Sequence, residues 1–324
     1  MKRFLALSDL AREEVLDLLA LATRLERQPE PRAAAGKVLG LLFFNPSLRT
    51  LASFQAGMAR LGGSSFVISP GQGSWQLETK DGVVMDGAAA EHVREAIPVL
   101  ASYADVLGIR AFAGGADLAA DLADTSFRTM ADLCPVPPVN LESAIDHPCQ
   151  ALADWKTMDD LAIPARGGRF VLSWAWHPKA LPLAVPAAVV HMAALRGMEV
   201  TVLRPEGYAL PEPVMARTRQ AAALSGAHVL YAKSWGAPQC YGQTTDDLAA
   251  EAALRAGLRD WCVDESWFKP AVPNARFFHC LPVRRNVVVA DEVLDGPRSA
   301  VVQEAGNRMW VQMAVLHRLL CGGT

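Results

Sequence analysis

The chain is 324 residues long, with 51% apolar and 20% charged residues and 31 basic against 34 acidic groups, for a formal net charge of -3. That length is about twice a common single domain, so two domains with sizeable cores are expected, and the composition excludes a disordered chain or a fibre. The near-balanced charge argues against a general polyanion binder, so nucleic acid is not an expected partner. The longest apolar stretch, Ala180 to Val190, is broken by Pro182 and Pro186 and is too short to span a bilayer. The start turns polar at Ser8-Asp9, too soon for a signal-peptide core, so a cytoplasmic protein with no membrane partner is expected. Cys134, Cys149, Cys240, Cys262, Cys280 and Cys321 show no C-x-x-C spacing, which fits reduced thiols and no metal cage.

Apolar runs alternate with helical patterns, as in strand-helix units around mostly parallel sheets, so the expected class is α/β. The first clear unit is a strand over 38–44, the turn Asn45-Pro46-Ser47, and a helix with the apolar face Leu51, Phe54, Met58 and Leu61, closed by Gly62-Gly63. Ser47 is its natural N-cap. Further strands are expected at 65–68, 106–109, 139–141, 170–174, 199–203, 228–231 and 277–279. Between them, Gly114 to Ala123 is rich in small residues and reads as a loose loop. Asp146-His147-Pro148 reads as a helix start with Asp146 as cap, and that helix, running to Met158, joins two lobes. The domains are therefore set at 1–146 and 147–302, with an amphipathic C-terminal helix, 303–324, packing back on the first. His92 and His191 read as structural.

Several chemistries lack their parts. The strand over 170–174 runs into Ala175-Trp176-His177-Pro178 without the glycines a dinucleotide needs, so no cofactor of that kind is expected. There is no G-x-x-x-x-G-K-[ST], H-E-x-x-H or G-x-S-x-G. What remains is an anion site: Ser47-Leu48-Arg49-Thr50, at a helix start after a strand, offers free backbone N–H groups, two hydroxyls and a guanidinium to a phosphate. The alternative for this tetrapeptide is an N-cap serine beside a solvated arginine. Two more polar groups stand at His147-Pro148-Cys149-Gln150 and at His279-Cys280-Leu281-Pro282, the latter just past an apolar strand.

These three motifs, in this order and joined by Gly108-Ile109-Arg110 and Asn307-Arg308, resemble the aspartate/ornithine carbamoyltransferase family over nearly the whole chain. The resemblance implies two doubly wound parallel-sheet domains, the first for carbamoyl phosphate and the second for an amino acid, and a homotrimer whose sites are shared between subunits. It implies that Ser47, Leu48, Arg49 and Thr50 take the phosphate, with Trp75 reaching in from a neighbouring subunit. Arg110, His147 and Arg308 would surround the carbonyl and phosphate. Gln150 and the Leu281 carbonyl would accept from the amide nitrogen, with Cys280 against the reacting carbon. Arg49, Arg110, His147 and Cys280 are thus the expected catalytic group.

The segments Phe43 to Ser47, Trp75, Val84 to Gly87, Trp174 to Pro178 and Ala232 to Trp235 resemble the N-acetylornithine and N-succinylornithine branch of that family. In that branch Glu142, His177, Lys233 and Arg284 would bind the acylated amino acid, and the second domain would carry a deep trefoil knot through the loop His177 to Pro186. A lysine at 233 repels a free α-ammonium but accepts an acyl carbonyl or carboxylate. Three residues after Asp-Gly, where the acetyl enzymes have a glutamate, this chain has Ala90. Ala90, Arg204 to Tyr208, Tyr241-Gly242-Gln243 and Val288 look more like the succinyl side. The implied reaction carries the carbamoyl group of carbamoyl phosphate to the δ-amine of N-succinylornithine, in arginine biosynthesis, with N-acetylornithine as the near alternative. Two positions depart from the family pattern: Leu51 replaces a second arginine after Ser-x-Arg-Thr, and Gly306 stands where a glutamate commonly precedes Asn-Arg. A reading of a different class is a weakly catalytic, anion-binding assembly protein.

Overall fold

The structure is a computed structural model that describes residues 1–115, 117–218, 224–241 and 244–322. The expected succinyl-like residues Gly242 and Gln243, Ala116 of the small-residue loop, and Gly323 and Thr324 of the expected C-terminal helix lie outside the described residues. The chain divides into two compact units. One comprises 1–113, 119–149 and 308–324, and the other 114–118 and 150–307.

The first unit opens with α1 (Arg12–Arg27) and β1 (Val38–Phe43), followed by α2 (Leu48–Arg60) and β2 (Ser64–Ile68). A short pair, β3 (Gln76–Glu78) and β4 (Ala89–His92), leads into α3 (Val93–Ser102) and β5 (Val106–Arg110). Then come α4 (Leu118–Leu122), α5 (Thr125–Asp132) and β6 (Pro138–Glu142). The main sheet has the order β2-β1-β5-β6 and every pairing is parallel. Strands β1, β5 and β6 are buried almost throughout, and the central pair, β1 and β5, is covered on both faces, which is why it reads as apolar runs. Leu42, Leu107 and Ile109 pack with Val93 and Ile97 of α3 and Phe127 and Met130 of α5 into one core. Phe4 covers the free edge of β6, exchanging backbone hydrogen bonds with Pro138 and Asn140 at 3.0 and 2.8 Å.

The second unit contains β7 (Arg169–Trp174), β8 (Glu199–Leu203), β9 (Val229–Lys233) and β10 (Arg276–Phe278), again all parallel, in the order β10-β9-β7-β8. Helix α6 (Pro148–Asp160) leads into it, and α7 (Ala184–Arg196) follows β7. The apolar stretch around Val185 to Val190 is α7, buried nearly all round, so its hydrophobicity serves the core. The remaining helices are α8 (Glu212–Met215), α9 (Thr245–Ala256), α10 (Asp291–Leu294) and α11 (Val301–Cys321), the last passing into the first unit at Arg308. Among the described residues no helix is long and apolar enough to cross a membrane.

Most expected strands lie within a residue or two of the observed ones. The pair β3 and β4 was not expected, because neither has an apolar run; the two strands are specified by pairing with each other. His92 is structural as expected: its Nδ1 caps α3 by accepting from the Arg94 N–H at 3.1 Å. The cap of α6 is a correction. The helix begins at Pro148, so Asp146 stands one residue too early, and its buried Oδ1 has no hydrogen-bond partner among the described residues.

Candidate active site

In open parallel sheets ligands bind past the carboxyl ends of the strands, where successive connections leave in opposite directions. In the first unit the chain leaves β1 for β2 on one side and later returns to β5 on the other, so that point lies between β1 and β5. Ser47 to Thr50 follow β1, and Arg110 is the last residue of β5. Asn45 joins the two loops by accepting from the Phe112 N–H at 2.8 Å.

Ser47 is the N-cap of α2, its hydroxyl accepting from the Thr50 N–H at 3.3 Å. The helix dipole favours an anion at this first turn. Gly57 lets α2 lie close to α11, where an added Cβ would meet Met313 Cγ at 3.0 Å. That packing brings buried Arg308 to buried Thr50, and Arg308 Nη2 donates to Thr50 Oγ1 at 2.6 Å.

A register shift between Ile109 and Arg110 sets Arg110 opposite Glu142 at the ends of β5 and β6. The Arg110 guanidinium bonds the Glu142 carboxylate and lies 4.5 Å over the Phe112 ring. His147 Nε2 is 3.6 Å from the same carboxylate. Glu142, expected on the amino-acid side, thus belongs by geometry to the Arg110 and His147 group. Burial pulls the pKa of Arg308 down, Cys149 and Glu142 oppose that, and the like charges of Arg110 and Arg49 add to the lowering. The buried Nε atoms of Arg110 and Arg308 have no hydrogen-bond partner among the described residues. Three guanidinium groups against one carboxylate, with buried donors to spare, suit a small polyanion such as a phosphate.

The second unit repeats the logic. The chain leaves β7 for β8 on one side and β9 on the other. His177 follows β7 and Lys233 ends β9. His177 Nε2 accepts from Arg284 Nε at 3.2 Å, and Nδ1 lies 3.0 Å from the Lys179 carbonyl and 3.1 Å from the Lys179 backbone N. Burial, opposed by that carbonyl and helped by Arg284, Lys233 and Arg255, lowers the His177 pKa. Past β10, Leu281 adopts a left-handed φ of 51°, an uncommon conformation for a branched side chain, and the Leu281-Pro282 bond is cis. Its N–H donates to His279 Nδ1 at 2.9 Å. Cys280 is buried. Gln150 Nε2 donates to Asp154 Oδ1 at 2.7 Å and to Glu304 Oε1 at 2.9 Å.

In the first unit Trp75 directly precedes β3 and Ala90 lies in β4. Trp75 is 60% exposed and donates from Nε1 to Glu91 at 2.8 Å. Ala90 is exposed and falls at the register shift between the Gln76–Ala89 and Leu77–Glu91 pairs.

Profiles of the aspartate/ornithine carbamoyltransferase family match residues 2–160, as its carbamoyl-P binding domain, and 185–319, as its Asp/Orn binding domain. The chain belongs to that family. It is a carbamoyltransferase, and both named acylornithine groups of the family are among its relatives. It is 38% identical to the N-acetylornithine carbamoyltransferase of Xylella fastidiosa over 98% of each chain. It is 36% identical to the N-succinylornithine carbamoyltransferase of Bacteroides thetaiotaomicron over 99% of each. A crystal structure of acetylornithine transcarbamylase complexed with acetylcitrulline superposes with a TM-score of 0.91 at 37% identity, covering 98% of this chain and 99% of that one.

The sequence did not point to Asn45, Asp154 or Glu304. Asp154 had one available signal, its i,i+4 spacing from Gln150 on a helix.

Proposed function

We propose that the protein transfers the carbamoyl group of carbamoyl phosphate to the δ-amine of an N-acylornithine, with N-succinyl-L-ornithine preferred, giving N-succinyl-L-citrulline and phosphate in arginine biosynthesis. The carrying observation is the guanidinium-rich group at the β1/β5 switch point. Ser47, Leu48, Arg49 and Thr50 hold the phosphate there, and Arg308 joins them. Arg110 and His147 face the carbonyl oxygen, where attack by the amine builds negative charge. In the step a C–N bond forms, the C–O bond to phosphate breaks with its electron pair leaving on phosphate, and the proton the amine gives up is accounted for on the released hydrogen phosphate. Neutralising the phosphate makes it the better leaving group.

Gln150 Oε1 and the Leu281 carbonyl accept from the carbamoyl NH2, and Cys280 lines the space beside the carbon. His177, Lys233 and Arg284 hold the acylated amino acid; Glu142 orients Arg110 and His147. Trp75 and the exposed segment around Val84 and Met85 serve a neighbouring copy in a homotrimer. The acyl preference rests on Ala90. Crystal structures of N-acetyl-L-ornithine transcarbamylase in which one glutamate is replaced by alanine, serine, proline or valine hold carbamyl phosphate and N-succinyl-L-norvaline, which fits a succinyl arm where that glutamate is missing. N-acetylornithine is the second reading, favoured by the slightly higher identity to the acetyl enzymes.

The test is phosphate release from carbamoyl phosphate in the presence of ornithine or an acylornithine. Release that needs the acylornithine supports the function. Carbamoyl phosphate binding without turnover on any of them contradicts it and favours the assembly protein.

A further inference from the structure

Inside the second unit lies a buried carboxyl pair that the chemistry above does not use. Asp154 on α6 and Glu304 on α11 are both 0% exposed. Two bare carboxylates so deep would be very costly. Burial, together with the charge of Asp154 and a hydrogen bond to it, pushes the Glu304 carboxyl well above the usual range.

The pair absorbs several donors. Gln150 Nε2 spends its two hydrogens on Asp154 Oδ1, at 2.7 Å, and Glu304 Oε1, at 2.9 Å. The Tyr231 hydroxyl donates to Glu304 Oε1 at 3.2 Å, and the His279 backbone N–H donates to Glu304 Oε2 at 3.0 Å. A flipped Gln150 amide would aim its oxygen at acceptors, so the orientation is fixed. Its Oε1 is buried and has no hydrogen-bond partner among the described residues. Glu304 also braces the other acceptor, because His279, held at its N–H, receives the Leu281 N–H on Nδ1 at 2.9 Å.

We propose that Asp154 and Glu304 are positioning residues that orient Gln150 Oε1 and the Leu281 carbonyl as a paired acceptor for an NH2 group, and so select a carbamoyl over an acetyl group on the phosphate. The assignment rests on the proposed function and deepens it.

The test uses the full chain and three probes: carbamoyl phosphate, acetyl phosphate, which has a methyl in place of the NH2, and inorganic phosphate. Dissociation constants are read by tryptophan fluorescence. The parent should bind carbamoyl phosphate more tightly than acetyl phosphate. Asp154→Ala removes one acceptor, and Glu304→Gln leaves one acceptor oxygen for three donors. Each should cut that preference about tenfold while moving the phosphate constant less than about twofold, and Asp154→Asn, which keeps an acceptor oxygen, should restore most of it. If a melting curve shows that Asp154→Ala does not fold, Glu304→Gln, of the same shape, decides alone. Variants that keep the preference, or lose all three ligands equally, overturn the assignment and leave the function standing. A parent without the preference also overturns the assignment, while the function is decided separately by acylornithine-dependent phosphate release.

Discussion

At the scale of single residues, the proposed phosphate site depends on charge and fork geometry. Arg49→Lys keeps the charge and loses the bidentate guanidinium, so kcat/KM should fall by roughly tenfold to a thousandfold with an unchanged melting temperature. Near-normal turnover would remove Arg49 from the site. In the proposed function the acyl choice rests on Ala90: Ala90→Glu would set a carboxylate against the succinyl carboxylate, so the ratio of kcat/KM values should move toward N-acetylornithine by about tenfold or more. An unmoved ratio would acquit that position. Asp146 offers a test in pH. Burial, with the charges of Asp124 and Asp9, raises its carboxyl from 3.8 to about 8. A raised carboxyl makes the folded chain hold a proton, so the linked stability is complete below about pH 4 and drains away as the pH climbs toward 8. Asp146→Asn is neutral throughout, so its melting temperature relative to the parent should rise between about pH 5 and pH 8.5; a constant difference contradicts this.

At the scale of elements, the sheets were legible and the polar interior was not. Strands β1, β5, β7 and β9 are buried on both faces, so their sequences carry the burial directly as runs such as Val38-Leu39-Gly40-Leu41-Leu42-Phe43. The pair β3–β4 carries no such mark, since its residues are half-buried or exposed. Ser47 was legible because a cap is a local device. Asp154 and Glu304 were not, because a polar residue in a helix reads as a solvated face until a second helix meets it. Gly40 shows how tightly β1 is held: an added Cβ would lie 2.7 Å from Leu107 Cδ1 and 2.9 Å from Phe66 Cζ. Gly40→Ala should therefore destabilise by about 1–3 kcal/mol, seen as a drop of several degrees in melting temperature. An unchanged melting temperature would mean the strand can yield there.

For the whole molecule, the proposed trimer explains why Trp75 and its neighbours are exposed. Arg49→Ala and Trp75→Ala are each expected to inactivate a homogeneous assembly, yet mixed and reassembled chains should regain part of the activity, since some sites then draw both intact residues from different subunits. A fully active monomer contradicts the shared site. The proposed knot in the second unit rests on resemblance, together with the close passage of Gly236, whose N–H donates to the Leu181 carbonyl at 3.0 Å. Pulled from its ends, a knotted chain should stop short of the full contour of roughly 3.6 Å per residue, whereas full extension contradicts the knot.

The central claim is that this carbamoyltransferase works on acylated ornithine and prefers the succinyl arm. Steady-state kcat/KM for N-succinylornithine, N-acetylornithine and ornithine, measured side by side with saturating carbamoyl phosphate, tests it most directly. The account predicts the highest value for N-succinylornithine and almost none for ornithine. A higher value for N-acetylornithine would contradict the role given to Ala90, and efficient turnover of free ornithine would contradict the role given to Lys233.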